Sequence, residues 1–120
     1  MAKKGTPPPA PIRVCYHAAA LAEIFEDLDA PTQADVIALV DQLDGKTHQE
    51  LVALLDPRTE RKVYQWEGSN ARGGLRIVFA WGKASLWVIG AFVKHNDREG
   101  ERLVQRILHR AAEVEKLAPC

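Results

Sequence analysis

Two consecutive apolar stretches constrain this chain more than any other feature. LRIVFAW (75–81) and LWVIGAFV (86–93) are dense in β-branched and aromatic residues, and only Gly82 to Ser85 separates them. Four residues is a hairpin-length connection, so two adjacent antiparallel strands are predicted. Apolar side chains at nearly every position suit strands in the middle of a sheet. Arg76 interrupts the first run, and Lys94-His95-Asn96 ends the second. A cation at the margin of a buried sheet is costly unless it meets a partner or snorkels to water. These residues are therefore either a site or a solvated strand end.

The remaining elements follow in order. Met1 to Pro11 lacks apolar periodicity and is proline-rich, which predicts a disordered or polyproline II tail ahead of one domain over 12–120. Ile12 to Tyr16 alternates as a strand. Leu21, Ile24, Phe25 and Leu28 mark an amphipathic helix, with Pro31 as its stop. Thr32 is the expected cap of a second helix carrying Val36, Leu39, Val40 and Leu43. Thr47-His48-Gln49-Glu50 is a capping-box pattern that opens a short helix, closed by Asp56-Pro57. Lys62 to Glu67 alternates as a strand, and a Gly-containing connector (69–74) leads into the hairpin. After Asn96-Asp97-Arg98-Glu99, another capping pattern, Leu103, Val104, Ile107, Leu108, Ala111 and Val114 form the apolar stripe of a last helix. The order β-α-α-α-β-β-β-α predicts an α+β fold, with the three later strands in an antiparallel meander and helices covering one face.

Composition narrows the function classes. The longest uninterrupted apolar run is 86–93, far short of the roughly 20 residues of a membrane helix. No apolar stretch suggests a secretory signal, so a cytoplasmic protein is expected. Cys15 and Cys120 form no metal motif and are expected as free thiols, and His17 and His48 lack ligand clustering; no metal or cofactor is expected. The formal net charge of +0 hides an asymmetry. Residues 1–56 hold four Lys/Arg against nine Asp/Glu, and residues 57–120 hold twelve against seven. Arg98, Arg102, Arg106 and Arg110 recur every four residues, as a basic ridge that either is simply solvated or faces an acidic or phosphate partner.

With Trp81 opposite Leu86 and uninterrupted pairing, Arg76 shares a face with Val78, Ala80, Trp87, Ile89, Ala91, Val93 and His95. Ile77 and Phe79 then form the floor for the helices, and Gln65 and Glu67 join the Arg76 face. A carboxylate, an arginine and an imidazole with Lys94 nearby can move a proton and stabilise a phosphorane-like anion.

These residues resemble the RelE/ParE toxin superfamily, and within it the HigB-like, phage-associated branch. The resemblance rests on Trp66-Glu67, a Gly-containing loop, Leu75-Arg76-Ile77-Val78-Phe79, and then Ala91-Phe92-Val93-Lys94-His95-Asn96 before a basic helix. It covers about residues 12–117, with the motifs within 62–110. It implies a compact RelE-like α+β fold, with a curved, mainly antiparallel sheet, N-terminal helices and a C-terminal helix. It further implies the toxin of a type II toxin–antitoxin pair: a metal-independent, ribosome-associated mRNA endoribonuclease that leaves a 2′,3′-cyclic phosphate. On that reading Arg76 stabilises the phosphate, Lys94 matches the strand-end lysine, His95 is a candidate acid and Glu67 a candidate base. Arg72, Arg98, Arg102, Arg106 and Arg110 are candidates for binding RNA or a partner. The partners implied are a helix-turn-helix antitoxin and the ribosome with its mRNA. The isoelectric point of about 6.9, the proline-rich tail and the extra helix over 47–55 depart from the family pattern. The alternative is a non-enzymatic protein-binding module of the same fold, such as a gyrase poison or a phage–host interaction protein.

Overall fold

The computed structural model describes residues 9–70 and 73–120. Most of the expected tail, and Arg72, lie outside the described residues. The elements are β1 (Arg13–Tyr16), α1 (Ala18–Asp27), α2 (Ala30–Leu43), α3 (His48–Leu54), β2 (Asp56–Pro57), β3 (Val63–Asn70), β4 (Gly73–Trp81), β5 (Ser85–Lys94), α4 (Asp97–Ile107) and α5 (His109–Glu115). One sheet has the order β1-β5-β4-β3-β2; β1 runs parallel to β5 and the other pairs are antiparallel. This is the expected α+β architecture. Among the described residues no helix is long and apolar enough to cross a membrane.

Local chemistry explains most boundaries. His17 caps α1, its Nδ1 accepting from the Ala19 amide at 3.1 Å. Pro31 does not stop that helix and Thr32 does not cap the next. Asp29 caps α2, accepting from the Thr32 amide at 3.0 Å, and Pro31 sits in its first turn, where the missing N–H has no intrahelical partner to lose. Thr47 and Glu50 form the expected capping box. Asp56-Pro57 closes α3 as expected but also pairs with Gln65 and Tyr64 as β2. The last helix breaks at Leu108 into α4 and α5.

Helices cover both faces of the sheet, not one. Ile77, Phe79, Leu86 and Val88 pack with Ile24, Val36, Val40, Leu51 and Leu55 of the N-terminal helices, and Phe79 is fully buried there. Val78, Ala80, Trp87 and Ile89 pack with Val104, Ile107 and Val114 of α4 and α5. The apolar stripe of the last helix needs a surface of its own, and each large side chain it buries is worth about 1.5–3 kcal/mol.

The hairpin begins in the expected register, Trp81 opposite Leu86 and Phe79 opposite Val88. It then slips: Val78 pairs with Gly90, so Ile89 is an extra residue, a β-bulge. Gly90 is where α4 lies closest to the sheet, because a Cβ there would come 2.3 Å from Ile107 Cδ1. A one-residue slip exchanges the faces of everything beyond it. Phe92 and Lys94, rather than Val93 and His95, therefore join the side of Arg76.

The expectation of free thiols is also corrected. Cys15 and Cys120 form a disulfide with Cα atoms 6.5 Å apart, across a sequence separation of 105.

Candidate functional site

The bulge assembles a cluster of cations at one end of the sheet. β3 and β4 pair Glu67 with Arg76, while β4 and β5 pair Gly74 with Lys94. Arg76 Nη2 lies 2.7 Å from Glu67 Oε1, and Lys94 Nζ lies 3.3 Å from Glu67 Oε2. The turn into α4 adds Asp97, 2.5 Å from Lys94 Nζ, and Glu101, whose Oε2 is 3.8 Å from Arg76 Nη1. Gly100 lets the helix settle on this cluster. A Cβ there would meet Lys94 Cδ at 2.6 Å and the Arg76 guanidinium carbon at 3.2 Å.

Arg76 is therefore buried beneath α4, only 4% exposed, and not on an open face as the uninterrupted register predicts. It does lie opposite the Ile77 and Phe79 face, as expected. His95 stands beyond the end of β5, exposed, and out of register with Arg76. Arg98, Arg102 and Arg106 are exposed on α4. Arg110 is not part of that ridge: it is buried, bonds both Glu23 oxygens, and donates through Nη1 to the Ile89 carbonyl at 2.9 Å. The break at Leu108 precedes this inward turn. Of the other three histidines, His17 caps α1, His48 stacks on Trp81 with ring centroids 4.7 Å apart, and His109 lies exposed, 3.9 Å from Glu113.

Two site residues escape the sequence reading. Arg58, just past β2, donates to Glu60 (2.5 Å), Gln65 (2.9 Å) and Glu101 (2.6 Å). Gln65 in turn donates to Glu67 at 2.8 Å. Glu101 touches both arginines. Its one available signal is its spacing four residues after Asp97, which puts both acids on the helix face that meets the strand-end cations. For Arg58 the signal would be β2, which is hidden behind a helix-stop pattern.

The electrostatics are layered. The side chains of Arg58, Arg76 and Lys94 are 9%, 5% and 11% exposed, while those of Glu60, Glu67, Glu101 and Asp97 range from 27% to 92%. Buried cations form the floor, and exposed carboxylates cap it. The Asp97 hydrogen bond is the main reason the Lys94 pKa is raised, which favours the ammonium form of this side chain. The hydrogen bond from Arg58 is the main reason Glu60 and Glu101 are held below the ordinary carboxylate range. Among the described residues, Arg76 Nε and Nη1 are buried without a hydrogen-bond partner. A buried guanidinium with unused donors fits an incoming anion.

These shifts set an acid limit. Glu23, held low chiefly by its hydrogen bond from Arg110, and Glu60 and Glu101 all bind protons less readily folded than unfolded. Their stabilisation is complete above the ordinary value of about 4.5 and is lost as pH falls through the lowered folded values. Denaturant melts from pH 6 to 3 are expected to show a flat upper limb and a falling lower one. Glu23→Gln should flatten that fall.

No protein-family model and no curated protein matches this sequence. Solved structures do. A double arginine-to-alanine mutant of E. coli toxin RelE in the free state superposes with a TM-score of 0.58 at 16% identity, over 82% of this chain and 99% of the other. Isolated E. coli RelE gives 0.52 at 17% identity, over 81% and 99%. The same RelE mutant in complex with an antitoxin RelB peptide gives 0.52 at 18%, over 81% and 98%. At these identities the likeness establishes a shared fold.

Proposed function

We propose that this chain is the toxin of a toxin–antitoxin pair and acts as a ribosome-associated mRNA endoribonuclease. The observation that carries the reading is Arg76: buried in a RelE-like fold, beside Lys94 and Glu67, with two donors unused. In the proposed reaction the 2′-hydroxyl attacks the adjacent phosphorus, and the P–O5′ bond breaks as the 5′-oxygen takes a proton from water, giving a 2′,3′-cyclic phosphate and a 5′-hydroxyl. Arg76 and Lys94 stabilise the charge that grows on the phosphoryl oxygens, and Glu67 accepts the 2′-hydroxyl proton. His95 has no part in this arrangement, because the bulge leaves it out of register with Arg76.

Induced expression should arrest growth and cut mRNA within translated regions. Arrest with intact mRNA and inhibited gyrase would replace the nuclease with a gyrase poison. A specific observation favours a second reading, a non-enzymatic binding module of the same fold. Four carboxylates already neutralise the three buried cations. Expression without arrest would select it.

The exposed Arg98, Arg102 and Arg106 are the proposed surface for ribosomal phosphates or for an antitoxin. Each exposed contact is worth little singly, yet several converging on a polyanion decide binding. Arg102→Glu with Arg106→Glu is expected to weaken ribosome binding and to flatten its salt dependence. An antitoxin that buries apolar surface would keep much of its affinity in high salt. Unchanged affinity for ribosomes and antitoxin across a salt series would leave the ridge as a solvated face.

A further inference from the structure

Arg58 and Arg76 come from different parts of the chain, yet side chains link them in a closed ring. Arg58 donates to Glu101, Glu101 lies against Arg76, Arg76 pairs with Glu67, and Gln65 returns from Glu67 to Arg58. Both arginine side chains are more than nine-tenths buried. The bridge across the open side is Glu101, one oxygen to each arginine, 2.6 Å from Arg58 and 3.8 Å from Arg76. The longer contact is no hydrogen bond, and the Arg76 nitrogen on that side, Nη1, has none. Glu101 is 48% exposed, so it can turn into water, whereas neither arginine can.

We propose that Arg58 and Arg76 form a two-armed subsite for a phosphate anion, and that Glu101 is the intramolecular occupant the phosphate displaces. The proposal rests on reading Arg76 as a phosphate-binding group and adds to it a second arm and a built-in competitor. A carboxylate offers two oxygens to two forks. A phosphate offers more oxygens and more charge, enough to engage Arg58 and the unused Arg76 donors together. Arg58 keeps Glu60 and Gln65 when Glu101 leaves, so opening the bridge does not strand a buried charge. Since Glu101 belongs to α4, anything that shifts the first turns of that helix changes how strongly the subsite is blocked.

The test uses the full chain and two probes, inorganic phosphate and an uncleavable 2′-O-methyl tetranucleotide. Glu101→Gln, which keeps the shape and removes the charge, is expected to tighten both by at least about tenfold, the scale of one charged hydrogen bond no longer competing. A gain for the tetranucleotide exceeding that for free phosphate identifies a nucleic-acid diester as the source. Arg58→Gln added to Glu101→Gln is expected to erase the gain. Unchanged or weaker binding by Glu101→Gln overturns the proposal, and so does a gain that survives Arg58→Gln. In the unaltered protein, phosphate should move the Nε–H resonances of both Arg58 and Arg76; movement of neither overturns it without any mutant. These measurements read no cleavage. Phosphate binding at this pair without growth arrest keeps the subsite and removes the toxin reading, while arrest with both resonances unmoved does the reverse.

Discussion

Arg76→Met is expected to lower mRNA cleavage by about 10²- to 10³-fold, the loss seen when one preorganised donor to a developing anion is removed. The folded state should survive. Alanine is the less informative substitution here, because Arg76 is 4% exposed beneath α4 and truncation would leave a cavity against Gly100 and Lys94. Methionine fills much of that volume without charge. Its cost in stability is expected to stay within about 1 kcal/mol, since the partner Glu67 keeps Lys94 at 3.3 Å and is not stranded as an unpaired buried charge. Two buried donors without partners also disappear with it. Glu67, left without its arginine, has a side chain 35% exposed and can hydrate. Arg76→Lys keeps the charge but not the planar fork, so it should not restore activity. Growth on induction, primer extension on a translated message and a thermal melt decide the matter together. Full arrest by Arg76→Met would move the chemistry elsewhere, and loss of the fold would make the guanidinium structural.

Elements set by local chemistry are legible in this sequence. The hairpin, the Thr47 capping box and the Asn96 cap, whose side chain accepts from the Glu99 amide at 2.8 Å, each depend on residues a few positions apart. Features set by tertiary packing are not. The bulge at Ile89 arises where Ile107 of α4 comes down on Gly90, and the only local trace is a glycine inside an apolar strand. Missing it places His95 rather than Lys94 beside Arg76. Arg58 and Glu101 lie 43 positions apart, so neither predicts the other. The Cys15–Cys120 link is more distant still. Glu67 and Arg76 are brought together as expected, because β3 and β4 pair them directly with no interruption, whereas Lys94 joins them only through the bulge.

Arg110 is the residue for which four-residue spacing misleads most, and its removal should separate it cleanly from its neighbours. The side chain is buried at the seam between α5, α1 and β5. It holds Glu23 with both terminal nitrogens and completes the Ile89 carbonyl at the bulge. That carbonyl belongs to a buried residue, and leaving it unpaired costs about 1–3 kcal/mol. Loss of the packed aliphatic stem adds to the cost. Glu23 contributes less, because its side chain is 40% exposed and takes water when the arginine goes. Arg110→Ala should therefore destabilise the fold by about 2–3 kcal/mol, a drop of roughly 10 °C in melting temperature for a chain of this size. Arg106→Ala, one helical turn earlier and exposed, should stay within about 0.5 kcal/mol. Parallel melts of the two variants provide the measurement. Equal, small shifts would mean that Arg110 belongs with the solvated ridge after all, and that the bulge is held by α4 packing on Gly90 without help from α5.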